Sequence, residues 1–244
     1  MGNIKNLLVY IHPDKVFVRD YALLARIQID NCLSLGWKKK DILLVFNYPF
    51  KYNGVKALVV GDEHYYGARP RSIKTAIVPF LVDEGIIEKG KIYWNHDLDA
   101  IQMNVIQEEE LGLDGFDLGL TDYGWKERWN LGSFFVKSSS KDIFNLAKPI
   151  IYQNIEDETA LVQLTTENES INKRCKRLNI SYNFGMRNVE SNFAKAKKPI
   201  KVVHFHPQDR RLPILDIFMY GKNGLNKPLL SKRLIKVFNQ NGVK

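Results

Sequence analysis

Two carboxylates, Asp97 and Asp99, stand one residue apart directly after a run of bulky apolar residues. That run, Ile92-Tyr93-Trp94, is rich in β-prone side chains and predicts a buried strand. Side chains two positions apart in extended chain point the same way, so the two carboxylates face one region. Like charges this close repel each other, and a divalent cation with oxygen ligands would offset the repulsion. The pair therefore indicates a metal site, although so short a pattern also occurs by chance in polar loops.

The size and charge of the chain limit its possible functions. Its 244 residues suffice for one large α/β domain, and its net charge of +9 favours anionic partners such as sugar nucleotides, nucleic acid or an acidic membrane surface. The two cysteines, Cys32 and Cys175, lack the spacing of zinc ligands, which argues against a zinc site or a disulfide framework. There is no signal-peptide pattern and no apolar stretch of membrane-spanning length, so we expect a soluble, cytoplasmic protein.

Strand and helix patterns alternate ahead of the Asp-x-Asp motif. Apolar runs of strand length occupy 7–11, 41–46 and 58–60, and helical spacing of apolar residues occupies 21–36 and 72–81. This alternation predicts an α/β fold with a mostly parallel central sheet flanked by helices. Because ligands bind beyond the carboxyl ends of the strands in such sheets, the Asp-x-Asp motif would lie at the ligand-binding edge.

Two charged segments follow in the second half of the chain. Residues 107–124 combine six acidic residues with four glycines, which predicts an irregular, solvated loop. Residues 172–177 form a basic cluster, which we expect to be the solvated face of a helix. Between 229 and 238, apolar residues alternate with lysine and arginine in the pattern of a basic amphipathic helix. Such a helix either packs on the domain or contacts a membrane surface peripherally, and we favour packing.

Four segments, in order along the chain, resemble those of glycosyltransferases with the GT-A fold, in particular the glycogenin-like retaining enzymes. They are the strand ending in Asp-x-Asp at 92–99, an Asn-x-Gly strand at 130–136, a helix start at 157–161 and the sequence Lys-Val-Val-His-Phe at 201–205. The helix start departs from the family, because Glu158 replaces the glutamine of an Asp-Gln pair. The family's glycine after the histidine segment is also missing.

The resemblance divides the chain into a GT-A-like catalytic domain, residues 1–213, and a C-terminal tail, residues 214–244. It also implies a divalent metal held by Asp97, Asp99 and His204, because the histidine of the last segment is the family's third ligand. The family implies Mn²⁺, and the mixed oxygen and imidazole ligands accept Mn²⁺ or Mg²⁺.

The implied reaction is transfer of a sugar from a nucleotide-diphosphate sugar, with a UDP-sugar the first expectation, to a hydroxyl group of a glycan or another acceptor. The loop after the first strand would hold the base and ribose, and basic residues would hold the diphosphate or the donor sugar. The residues expected to bind the nucleotide sugar are Ile11, His12, Asp14, Arg71, Lys74, Asp97, Arg210 and Arg211.

Asn130 and Asp157 are the candidates for catalytic contact with the sugar or the acceptor. If the reaction inverts the anomeric configuration, Asp157 would be the general base that activates the acceptor hydroxyl. If the configuration is retained, Asp157 would position the sugar, and the sequence leaves both possibilities open.

Two alternatives come from other classes of protein. A phosphatase of the haloacid dehalogenase type also has Asp-x-Asp after an apolar strand, with Asp97 then the nucleophile and Asp99 the acid. That class needs the motif early in its domain, whereas here it comes late. A non-catalytic nucleic-acid-binding protein would account for the basic charge, but the chain has no recognised signature of that class, so we expect no nucleic-acid partner.

Overall fold

The central strands of the protein follow the apolar runs of the sequence. A computed structural model describes residues 3–18, 20–68, 70–124, 128–185, 189–205 and 231–243. The strands are β1 (Ile4–Tyr10), β2 (Ile42–Phe46), β3 (Lys51–Tyr52), β4 (Val55–Val59), β5 (Ile92–His96), β6 (Ala100–Gln102), β7 (Leu118–Asp122), β8 (Trp129–Val136), β9 (Cys175–Arg177), β10 (Phe184–Gly185) and β11 (Val202–His204).

Helices connect these strands and cover the sheet. They are α1 (Tyr21–Ser34), α2 (Ile73–Ala76), α3 (Val78–Asp83), α4 (Glu108–Leu111), α5 (Lys141–Tyr152), α6 (Asp157–Glu167), α7 (Glu169–Lys173), α8 (Val189–Lys195) and α9 (Lys232–Gln240).

Within the described part of the chain, eight strands form the central sheet in the order β3-β4-β2-β1-β5-β8-β7-β9. Its centre is parallel, because β4, β2, β1 and β5 all run the same way, and β8 joins antiparallel to β5 and β7. The α/β architecture with a mostly parallel central sheet is therefore confirmed. Parallel strands buried on both faces explain the nearly unbroken apolar runs of β1 and β2.

Helices pack on both faces of the sheet. Leu8 and Trp94 share one apolar core with residues of α1 and α9, whereas Leu7 and Tyr93 share the other with residues of α2, α3, α5 and α6. Neighbouring residues of one strand point to opposite faces, so each central strand supplies both cores. Burying apolar surface on both sides fixes the strand ends that carry the candidate functional residues.

A small second sheet positions the last of those residues. Among the described strands it has the order β10-β11-β6, with β11 antiparallel to β6. In that register His204 is directly opposite Ala100, which immediately follows Asp99. The strand pairing therefore brings a residue from position 204 beside the Asp-x-Asp motif.

The basic amphipathic helix is α9, and three of its four apolar residues are buried, whereas Ile235 is exposed. Leu234, Val237 and Phe238 belong to the same core as α1, and Arg233 Nη1 donates to Asn31 Oδ1 at 2.6 Å. No helix in the described ranges is both long and apolar enough to cross a bilayer.

The two charged segments are largely solvated, as expected, but the expected loop and helix face are wrong where each segment contains a strand. The acidic segment 107–124 contains β7, and the basic segment 172–177 contains β9, which pairs with β7 in parallel. Arg177 Nη1 lies 2.5 Å from Asp122 Oδ2. This ion pair joins the two segments, and the Arg177 side chain stays half exposed.

Candidate active site

Three side chains meet beyond the carboxyl end of β5. The His204 Nε2 atom lies 3.2 Å from Asp99 Oδ1 and 3.5 Å from Asp97 Oδ2. One ligand atom from each residue lies within 4.8 Å of the others. His204 is almost fully buried, whereas the two carboxylates are partly exposed. Two carboxylate oxygens and one imidazole nitrogen suit a divalent cation such as Mn²⁺, so the three residues fit the expected metal.

Backbone hydrogen bonds hold this cluster together. The Asp97 N–H donates to the Gly132 carbonyl at 2.9 Å, and the Ala100 N–H donates to the Asp97 carbonyl at 3.1 Å. The Phe205 N–H donates to the Asp99 carbonyl at 3.2 Å. The Asp-x-Asp turn is therefore bound to β8 on one side and to the end of β11 on the other.

Gly132 leaves the space that the His204 ring fills. A Cβ atom on Gly132 would lie 1.9 Å from His204 Cε1 and 2.0 Å from His204 Nδ1, far inside van der Waals contact. A glycine within a strand often marks such a close approach, which is the sequence signal for this contact. The Asn-x-Gly pattern of β8 thus has a steric reason in this protein.

Lys74 lies in α2 and forms an ion pair with Asp97. The lysine side chain is buried, and Asn95 Nδ2 donates to its backbone carbonyl at 3.0 Å. Burial disfavours the ammonium form, but the nearby carboxylates of Asp97 and Asp157 outweigh it and raise the pKa of Lys74 above its usual value. The site therefore holds a fixed positive charge beside Asp97.

Asp157 is buried at the first position of α6 and faces the same region. Thr75 Oγ1 donates to Asp157 Oδ2 at 2.7 Å, and the Glu158 N–H donates to Asp157 Oδ1 at 3.0 Å. Burial raises the pKa of Asp157, while the charge of Lys74 and the bond from Thr75 act against the increase. Asp157 is thus held beside Lys74 with both carboxylate oxygens bonded.

Glu158 is largely buried among polar partners. The Tyr123 hydroxyl donates to Glu158 Oε2 at 2.6 Å, and the Leu131 N–H donates to Glu158 Oε1 at 3.2 Å. Arg128 Nε lies 3.7 Å from Glu158 Oε2. Burial raises the pKa of Glu158, although the hydrogen bond from Tyr123 opposes this. The residue that departs from the family pattern therefore joins α6 to β8.

Asn130 lies on β8 and is buried. Its Oδ1 atom accepts the Gly132 N–H at 3.0 Å, and its backbone carbonyl accepts from Asn183 Nδ2 at 3.0 Å. These bonds fix the backbone of β8 next to the glycine that faces His204.

The expected nucleotide-binding loop follows β1, which neighbours β5 in the sheet. Ile11 is buried and Asp14 is exposed. The His12 N–H donates to Asn47 Oδ1 at 3.0 Å, and Asn47 Nδ2 donates to the His12 carbonyl at 2.8 Å and to Asp62 Oδ1 at 2.9 Å. Asn47, at the end of β2, thus joins the loops that follow three parallel strands.

The remaining predicted basic residues are not brought to this cluster by any described contact. Arg71 is exposed in the turn before α2. Arg210 and Arg211 lie outside the described residues.

Sequence reasoning missed Thr75 and Asn47 as residues of this region. Thr75 follows Lys74 on a predicted helix, and a threonine beside a buried lysine carries no pattern of its own. Asn47 directly follows an apolar strand, and a polar residue at a strand end is a usable signal.

Solved structures with a similar fold are glycosyltransferases. The galactosyltransferase LgtC, solved with donor and acceptor sugar analogues, has a TM-score of 0.62 and 11% identity over 97% of this chain and 95% of LgtC. Mouse xyloside xylosyltransferase 1 has a TM-score of 0.53 and 11% identity over 84% of this chain and 98% of that protein. GlyE of Streptococcus pneumoniae TIGR4 has a TM-score of 0.57 and 13% identity over 98% of this chain and 65% of GlyE.

Sequence comparisons alone identify no relative. Neither a scan against protein-family models nor a search of curated proteins finds a match. The similar structures give no support to the phosphatase or nucleic-acid-binding alternatives. The structural similarity extends over nearly the whole chain, and the chain therefore has the GT-A fold of these glycosyltransferases.

Proposed function

We propose that this protein is a glycosyltransferase that moves a sugar from a nucleotide-diphosphate sugar, most simply a UDP-sugar, to an acceptor hydroxyl. The observation that carries the proposal is the convergence of Asp97, Asp99 and His204 at the carboxyl end of β5 in a GT-A fold. LgtC was solved with donor and acceptor sugar analogues, which supports a sugar-containing acceptor.

The three clustered residues would hold Mn²⁺ or Mg²⁺, which supplies positive charge beside the departing nucleoside diphosphate. Asp99 and His204 are the two closest of the three, so we assign them as the main ligands. Asp97 Oδ2 faces His204, and Asp97 Oδ1 forms the ion pair with Lys74. Asp97 therefore links the proposed metal site to the lysine.

Lys74 contributes a second positive charge that does not depend on a cation. Because it stays protonated in its buried setting, it would attract the diphosphate or a polar group of the donor sugar. The hydrogen bond from Asn95 to the Lys74 carbonyl holds the lysine backbone, and the ion pair with Asp97 holds its side chain. Arg71, Arg210 and Arg211 remain predicted donor contacts.

We assign Asp157 to positioning rather than to general base catalysis. Both of its oxygens already accept hydrogen bonds, from Thr75 and from the Glu158 N–H, so its lone pairs are partly committed. Each oxygen keeps a further acceptor site, which would hold a sugar hydroxyl in place, the role expected of Asp157 if the configuration is retained. Asn130 stabilises the backbone of β8 at Gly132 and would contact the sugar from the neighbouring strand.

The base and ribose would bind at the loop of Ile11, His12 and Asp14. The bonds from Asn47 hold the backbone of this loop in one arrangement before a ligand binds, which reduces the entropy cost of binding. A peripheral membrane contact through Lys232 and Lys236, which are exposed on α9, stays a prediction, as does a cytoplasmic location.

A thermal-shift panel of UDP-, GDP- and dTDP-sugars, with and without Mn²⁺, tests the proposal. A ligand that binds the folded state raises the melting temperature, by an amount that follows its dissociation constant. We expect one nucleotide to stabilise the wild type only with Mn²⁺, and Asp99→Asn to remove this response. Asp114→Asn, at an exposed loop position, is the matched control and should respond like the wild type. No stabilisation by any nucleotide sugar would contradict the proposal.

A further inference from the structure

Two side-chain amides of α1 bind the backbone that follows Asp97. Gln28 Nε2 donates to the Leu98 carbonyl at 2.9 Å and to the Ala100 carbonyl at 2.8 Å. Three residues along the helix, Asn31 Nδ2 donates to the Gln102 carbonyl at 2.8 Å. Gln28 and Asn31 are both buried, at 2% and 0% exposure. Buried polar side chains of α1 therefore donate hydrogen bonds to every second carbonyl from residue 98 to residue 102.

These amides take the place of a neighbouring strand. β6 pairs with β11 along one edge, and the carbonyls at 98, 100 and 102 face α1 rather than another strand. Buried carbonyls need hydrogen-bond donors, and α1 supplies them from side chains. β6 is thus held between α1 and β11.

Asp99 lies between the two carbonyls that Gln28 binds. The adjoining Ala100 is paired with His204 in the β6–β11 register, so one amide group constrains the backbone next to both residues. Within the described residues, Gln28 Oε1 accepts no hydrogen bond. The two bonds from Gln28 Nε2 are therefore the described hydrogen bonds of this buried amide.

We propose that Gln28 is a positioning residue that sets the spacing between Asp99 and His204 for a divalent cation. The inference rests on the proposed function, because it concerns the same metal site. Both described hydrogen bonds of Gln28 go to backbone carbonyls, so its effect passes through the backbone of residues 98–100. Residues that orient metal ligands typically change metal affinity 10- to 100-fold when they are replaced.

The test is a calorimetric titration of the full chain with Mn²⁺ alone, for wild type, Gln28→Met and Asn6→Leu. Methionine keeps the length of the glutamine side chain but donates no hydrogen bond. Asn6 is the matched control, because its buried amide also contacts α1, at Cys32 Sγ, and is not part of the site. We expect Gln28→Met to weaken Mn²⁺ binding by about tenfold, while Asn6→Leu binds like the wild type.

The outcomes separate this inference from the proposed function. If the wild type binds no Mn²⁺, both fail. If the wild type binds Mn²⁺ and Gln28→Met binds it equally well, only the role of Gln28 is overturned. An equal loss of affinity in Asn6→Leu would also overturn it, because general destabilisation would then explain the effect.

A second measurement applies if Gln28→Met does not fold. The side-chain amide signals of Gln28 in the wild type can be followed by NMR during a titration with diamagnetic Mg²⁺. We expect them to shift and to saturate together with the backbone amides of residues 97–100. Gln28 signals that stay constant while those backbone signals move would overturn the proposal.

Discussion

The imidazole of His204 occupies the space where a side chain at Gly132 would begin. Its Cε1 atom would be only 1.9 Å from a Cβ built on Gly132. β8 therefore fits against β11 at this point only because position 132 lacks a side chain. The candidate metal ligand and the glycine of the Asn-x-Gly pattern, far apart in sequence, depend on each other.

Replacing Gly132 by alanine should displace His204 and weaken metal binding. The added methyl group meets a buried ring with little room to move, and such overpacking costs about 1–3 kcal/mol of stability. Chemical denaturation measures that cost, and Mn²⁺ titration measures the affinity. Gly119→Ala in β7 is the control, because its Cβ would meet the flexible end of Leu178 at 2.8 Å. Unchanged Mn²⁺ affinity in Gly132→Ala would refute this role of the glycine.

Lys74→Met should destabilise the metal-free protein and increase its response to Mn²⁺. Removing the ammonium leaves Asp97 without its ion-pair partner beside the buried Asp157, at a cost of about 2 kcal/mol. A cation at the neighbouring site would restore part of that loss by offsetting the charge of Asp97. We therefore expect a larger Mn²⁺-induced rise in melting temperature for this variant than for wild type.

Lys5→Met provides the comparison for Lys74. Lys5 forms its ion pair with Glu88, whose side chain is half exposed, so its removal should cost less. Its melting temperature should respond to Mn²⁺ like that of the wild type. Equal Mn²⁺ responses in wild type and Lys74→Met would show that Lys74 and the cation do not share Asp97.

Glu158→Gln should remove a pH dependence of stability. Burial raises the pKa of Glu158, so at a pH between its unfolded and folded pKa values the folded protein holds a proton that the unfolded chain has lost. The free energy of unfolding then falls as pH rises through this window, by up to about 1.4 kcal/mol per pH unit. Glutamine does not ionise, so the variant should gain stability relative to wild type as pH rises above the ordinary pKa of a glutamate.

Urea denaturation over a series of pH values measures this effect. Glu156→Gln is the same change at an exposed position two residues earlier, and it should leave the pH profile close to that of wild type. Parallel profiles for wild type and Glu158→Gln would mean that Glu158 ionises at its ordinary pKa.

Local patterns in the sequence were sufficient to predict the centre of the fold and the two aspartates of the candidate metal site. β1, β2 and β5 are buried on both faces, and their apolar runs are therefore long and unbroken. Asp97 and Asp99 were visible because they directly follow such a run. His204 was identified through the resemblance, since a single histidine at a strand end is not distinctive by itself.

Contacts between distant segments were not predictable from the same patterns. The pairing of β7 with β9 joins segments that are far apart in the sequence, and an ion pair between Asp122 and Arg177 at 2.5 Å accompanies it. Each segment alone has the composition of a solvated surface. The proposed role of Gln28 could not be predicted from the sequence either. It depends on the carbonyls of residues 98 and 100, which only the folded chain brings to α1.

The most direct test of the account is to locate the cation. A crystal of the protein soaked with Mn²⁺ and UDP can be measured with X-rays at a wavelength where manganese scatters anomalously. We predict one strong anomalous peak between Asp97, Asp99 and His204, in contact with Asp99 and His204. The diphosphate of UDP should lie beside this peak. A peak elsewhere, or none at this cluster at saturating Mn²⁺ and UDP, would contradict the proposed metal-assisted sugar transfer.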